Sequence, residues 1–149
     1  MADSSQSLKC WRKWRTHYNS FLHQALWLSS PPWLNLAGKS YAKKLRKQDL
    51  SVEEAVEKFC ETLGGWNWGE FSFSLLDVEQ GVGKLSVKNS LETRVRSASN
   101  NFGCNFLSNF VAGFLSELFG KNVAVKERRC ASLEGKICEF EFHAVGNGV

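Results

Sequence analysis

Residues 103–142 read GCNFLSNFVAGFLSELFGKNVAVKERRCASLEGKICEFEF, and this stretch decides the fold. Three of the chain's five cysteines stand here around one acid, in the spacing Cys104-x22-Glu127-x2-Cys130-x7-Cys138. Zinc takes four ligands in a tetrahedron, accepting thiolate sulfur readily and carboxylate oxygen where geometry allows, so these four side chains can close a structural site with no open position. Two other readings stand beside that one. Free cysteine is among the most buried residue types, and three on the inner faces of a helix and two strands can serve as small apolar packing. A disulfide would leave an odd thiol in a reducing compartment.

The spacing of apolar residues supplies the elements that carry these groups. Phe106, Leu107, Phe110, Val111, Phe114, Leu115, Leu118 and Phe119 form two adjacent helical stripes, too wide for a helix lying on a surface, so this helix is expected to be central. Gly120 closes it. Val123 and Val125 begin a strand ending at Cys130, and residues 137–145 pair back antiparallel. Glu127 and Cys130 have opposite parity on a regular strand, so gathering them at one ion requires a bulge or a strand end between them. Arg128, Arg129 and Lys136 lie close enough in sequence to offset the site's negative charge.

Gly103-Cys104-Asn105-Phe106-Leu107, Val111-Ala112-Gly113-Phe114-Leu115, Glu127-Arg128-Arg129-Cys130 and Gly135-Lys136-Ile137-Cys138-Glu139-Phe140 resemble the C-terminal signature of the 4-vinyl-reductase (4VR) domain family. The resemblance implies a small-molecule-binding fold shared with the vesicle-tethering TRAPP subunits and with sensor domains of aromatic-responsive transcription activators. In the zinc-containing sensors the ligands are three cysteines and a glutamate, a pattern that Cys104, Glu127, Cys130 and Cys138 match position by position. One departure is that Glu134 stands where the family has its glycine, with Gly135 one place later. The resemblance is specific over about the last fifty residues, weaker over 38–90 and absent before Trp33.

Working outward, Trp11, Trp14, Tyr18, Phe21, Leu22, Ala25 and Leu26 recur at helical spacing opposite a basic face, and Pro31-Pro32 ends that helix. A second helix runs from Trp33 to about Lys47 with Leu34, Ala37, Tyr41, Ala42 and Leu45 inward, and Gly38 permits close approach of a neighbour. Ser51-Val52-Glu53-Glu54 is a capping box that opens a third helix to Leu63. From Trp66 the period alternates: Trp66 and Trp68 share one face of a strand, and a bulge at Gly69 would bring Phe71, Phe73 and Leu75 to the same side. Residues 80–83 make a turn, and 84–89 return with Leu85 and Val87 inward. Residues 90–102 read as a loop or lid with one irregular strand.

The expected fold class is therefore α+β: N-terminal helices on a small antiparallel sheet, with a central C-terminal helix and a zinc-tied final hairpin. At 149 residues the chain suits one domain. Residues 1–32 would form a helical arm and residues 33–149 the 4-vinyl-reductase-like domain. Residues 1–47 carry nine Lys or Arg against Asp3 alone, a net +8 in a chain of net +4. Dispersed along helices, these charges read as a solvated face, and nucleic acid is not expected as a direct partner. No apolar run is long enough to cross a membrane, and a cytoplasmic location is expected.

Six tryptophans and eleven phenylalanines either fill a core or line an apolar pocket. Trp66, Trp68, Phe71, Phe73, Phe106, Phe110 and Phe114 are the candidate lining residues, with Gly113 leaving volume beside them. The expected function is a zinc-stabilised, non-catalytic sensor or carrier for a hydrophobic, aromatic ligand. A structural or tethering subunit with a filled pocket is the alternative. An accessory role in tetrapyrrole vinyl reduction is the second, implied by the family name. No glycine-rich phosphate loop precedes a helix, and His17, His23 and His143 lack partners in any nucleophilic pattern. Four tryptophans in the first thirty-three residues point to a homodimer built on the N-terminal helices.

Overall fold

A computed structural model of the chain describes residues 32–95, 104–130 and 137–146. The N-terminal amphipathic helix, the dimer surface expected on it, and the loop carrying Glu134, Gly135 and Lys136 lie outside the described residues. Helix α1 spans Pro32–Arg46, α2 Val52–Gly65, α3 Leu91–Val95 and α4 Asn105–Phe119. Strands β1 (Glu70–Asp77), β2 (Val82–Lys88), β3 (Val123–Arg129) and β4 (Ile137–Ala144) form one antiparallel sheet in the order β1-β2-β4-β3. The fold is α+β, as expected.

Two hairpins, β1-β2 and β3-β4, meet where β2 pairs with β4. Leu85 and Val87 of β2 and Cys138, Phe140 and Phe142 of β4 point inward and are buried, while Lys84, Lys88 and His143 face out. Helix α4 lies between α1 and the sheet. Its residues Phe106, Leu107, Phe110, Val111, Phe114 and Leu115 are all buried, so both apolar stripes are used. Gly120 ends it at φ 65°, in the left-handed conformation that lets its N–H close back on Ser116.

The crossing of α1 and α4 is a backbone contact. A Cβ on Gly38 would lie 2.8 Å from the Phe114 nitrogen, and one on Gly113 would lie 2.8 Å from the Asn35 carbonyl carbon. Gly38 thus plays the close-approach part its position suggested. Gly113 does not leave room for a ligand: it faces α1, and the volume it frees is taken by that helix.

Helix α2 begins on the capping box: Ser51 Oγ accepts from the Glu54 N–H at 3.2 Å and Glu54 Oε2 accepts from the Ser51 N–H at 2.8 Å. Ser51→Ala removes one of these acceptors, and an unfolding midpoint in urea is expected to report a loss of about 1 kcal/mol.

The end of α2 corrects the expected first strand. The Trp66 N–H donates to Thr62 O, the Asn67 N–H to Gly64 O and the Trp68 N–H to Leu63 O, so residues 66–68 wrap the helix end. Asn67 stands at φ 62° and Gly69 at φ 143°, positions that break an extended run. The bulge lies instead between Phe73 and Leu75. It turns Leu75 outward, 49% exposed, while Leu76 packs on the core. Residues 91–95 are a short helix, not an irregular strand.

Candidate metal centre and aromatic cluster

Three elements deliver the four expected metal ligands to one place. Cys104 is the N-cap of α4, Glu127 sits on β3, Cys130 follows the end of β3, and Cys138 is the second residue of β4. Their ligating atoms all lie within 4.8 Å of one another, close enough to hold a metal ion, and the three cysteines are buried. The parity conflict between Glu127 and Cys130 is resolved by a bulge. Glu127 pairs with Phe140 and Arg129 with Glu139, leaving Arg128 as the inserted residue. Glu127 therefore keeps the inward parity of Val123 and Val125, and Cys130 regains it.

The donor geometry fits a tetrahedral thiolate site. Cys104 Sγ and Cys138 Sγ are 3.7 Å apart, and the sulfur–sulfur edge of a tetrahedron with bonds of about 2.3 Å is about 3.8 Å. Glu127 uses one oxygen within the protein, with Oε2 accepting from the Cys104 N–H at 2.8 Å. Its Oε1 is buried without a hydrogen-bond partner among the described residues. A buried carboxylate oxygen of that kind is costly unless something is to fill its coordination. With thiols alone, the Cys138 hydrogen bond, then burial, hold the Cys104 thiol well above the usual thiol range. A cation must therefore displace protons to bind.

The counter-charges expected from the neighbouring arginines are spent elsewhere. Arg128 Nε donates to Glu141 at 2.7 Å, and this bond holds the exposed Glu141 carboxyl below the usual range. Arg129 pairs with Glu139 at 3.8 Å. What faces the site is the amino end of α4, whose partial positive charge suits an anionic ligand set. Cys104 spends no side-chain hydrogen bond on capping that helix. Glu92 of α3 does so in its place, a residue that periodicity leaves unmarked: it is 2% exposed, and its two oxygens accept from the Phe106 N–H at 2.9 Å and the Leu107 N–H at 3.0 Å. Ser90 Oγ lies 3.8 Å from Cys104 Sγ.

The seven candidate lining residues do converge, together with Phe59 and Tyr41. Phe59 stacks on Phe114 at 4.2 Å between centroids and meets Phe71 and Phe73 edge-on. Trp68 meets Phe106 at 4.9 Å and Phe110 at 5.2 Å. Trp66, 49% exposed, closes the cluster's outer side against Trp68 and Tyr41. Two polar atoms inside this cluster, the Tyr41 hydroxyl and Trp68 Nε1, are buried without a hydrogen-bond partner among the described residues. Helical spacing marks Tyr41 only as a core position. Its hydroxyl, on an otherwise apolar stripe, is the one signal in the sequence for anything more.

No helix among the described residues is long and apolar enough to cross a membrane. No curated protein matches the chain. The fold is similar to that of the phenol-responsive sensory domain of the transcription activator PoxR, crystallised with phenol. There the identity is 13% over 89% of this chain and 73% of that one, with a TM-score of 0.64. A vinyl-4-reductase family protein from Methanocaldococcus jannaschii is similar at 20% identity over 75% of this chain and 68% of that one, with a TM-score of 0.54. A trafficking protein particle complex subunit 3 from Naegleria fowleri, covalently bound to palmitic acid, is similar at 12% identity over 87% and 92% of the two chains, TM-score 0.54. At such identities the likeness is one of fold. Over residues 84–144, then, the chain matches the vinyl-4-reductase (4VR) domain, the family that its C-terminal residues resemble.

Proposed function

We propose that this domain is a non-catalytic receptor for a small aromatic molecule bearing one polar oxygen, with a structural zinc ion tying its central helix to its last hairpin. The observation that carries the reading is the pair of unpartnered buried groups, Tyr41 Oη and Trp68 Nε1, among rings that otherwise offer only apolar surface. A closed hydrocarbon core gains nothing from burying two unmade hydrogen bonds, each costing about 1–3 kcal/mol. A ligand oxygen that accepts from the indole N–H and bonds the tyrosine hydroxyl removes that cost. The PoxR domain's phenol is a ligand of this chemistry in a similar fold. Three sulfurs and one carboxylate would leave zinc no open position, which suits a metal that stabilises and does not catalyse.

Titration calorimetry of the whole chain with phenol, benzene and palmitate tests this. Phenol is expected to bind more tightly than benzene, and Tyr41→Phe and Trp68→Phe are each expected to weaken phenol about tenfold, the equivalent of one hydrogen bond. Palmitate bound in preference to phenol would favour a lipid-carrying or tethering role. Absence of saturable heat with all three would mean that the rings form a filled core.

A further inference from the structure

We infer that Glu92 is a positioning residue for the metal centre: its buried carboxylate takes over the capping of α4 so that the Cys104 thiol is free to ligate. The inference rests on the metal reading above. A helix start leaves several N–H groups without intrahelical partners, and the N-cap side chain ordinarily accepts from one of them. At α4 the N-cap is Cys104, whose side chain accepts none. The donors go instead to two carboxylates from other elements, Cys104 N–H to Glu127 and the Phe106 and Leu107 N–H groups to Glu92.

Glu92 is itself anchored on the opposite side, because the first residue of its helix, Leu91, donates its N–H to the Trp68 carbonyl at 2.9 Å. One carboxylate thus fixes the turn that presents Cys104 to the site and Phe106 to Trp68, 4.9 Å away. Outer groups that orient metal ligands typically change metal affinity by about 10–100-fold when altered.

Glu92→Gln is the informative variant. Its amide oxygen can accept from one of the two N–H groups, but its NH2 then faces the other, donor against donor. Cobalt(II) affinity of the full chain, measured in competition with a chelator, is expected to fall about 10–100-fold, with a shifted thiolate-to-cobalt absorption. A cap that mattered only for folding would lower the unfolding midpoints of metal-free and metal-loaded protein alike, leaving affinity and spectrum unchanged. That result would overturn the assignment. Should Glu92→Gln not fold, Glu92→Asp keeps the charge and shortens the reach, and the same comparison decides. Failure of the unaltered chain to bind cobalt would overturn the metal reading itself; binding by the unaltered chain with equal affinity in the variant overturns only the role of Glu92.

Discussion

Replacement of Cys138 by serine is expected to abolish metal binding and to cost the domain on the order of 5 kcal/mol or more, enough to unfold a domain of ordinary stability. The size of the effect follows from the closure of the site. Binding free energies of structural zinc reach about 10–16 kcal/mol in small zinc-folded peptides, and in a site that exists only in the folded chain that energy is folding energy. Cys138 holds the middle of the arrangement: it is fully buried on β4, 3.7 Å from Cys104, and opposite Val87 of β2. Serine is nearly isosteric, so little of the loss would come from a cavity. Metal analysis of protein prepared without chelator should give one equivalent for the native sequence and none for the variant. A variant that melts at the native temperature, or a native chain carrying well under one equivalent, would show that the three cysteines are only packing residues. Treating the native chain with a strong chelator should reproduce the variant's loss of stability, which ties the effect to the ion and not to the serine hydroxyl.

The metal centre is the most legible part of the chain because its chemistry is carried by rare residue types at fixed spacing. The opposite parity of Glu127 and Cys130 even foretells a local irregularity, met by the bulge at Arg128. Helices are legible where apolar period and end signals agree, as with the Ser51 box and the Gly120 stop. The failures have a common physical source. Trp66-Asn67-Trp68 alternates like a strand, yet Asn67 and Gly69 both take positive φ, and backbone hydrogen bonds to the end of α2 outweigh the alternation. Asn and Gly are the residue types that tolerate such angles, so the sign is present but weaker than the period. Arg128 and Arg129 stand beside the ligands in sequence, but strand pairing turns them to Glu141 and Glu139 on the other face. Glu92 escapes notice because its role depends on two amide groups 14 and 15 residues away, which no local pattern encodes.

Gly113→Leu is expected to unfold the domain, and Gly113→Ala to destabilise it by roughly 3 kcal/mol or more. The reason lies in what surrounds the missing side chain. A Cβ at this position would stand 2.8 Å from the carbonyl carbon of Asn35, 3.0 Å from its Cα, and closer still to its oxygen, all backbone atoms of α1. A flexible side chain could swing aside at little cost, but helix backbone can make room only if the two helices separate. Separation would draw α1 away from Phe110 and Phe114, and with it the Tyr41 ring, which lies 6.5 Å and 5.8 Å from theirs. Gly38 makes the reciprocal notch on the other helix, 2.8 Å from the Phe114 nitrogen by the same construction. Gly38→Ala should therefore be destabilising as well. The two substitutions together should cost less than their sum, because helices already separated by one methyl group accommodate the second more cheaply. Equilibrium urea unfolding of the two single variants and the double variant measures this directly. A Gly113→Ala protein as stable as the native chain but unable to bind phenol would instead place Gly113 on the ligand cavity and refute the backbone contact.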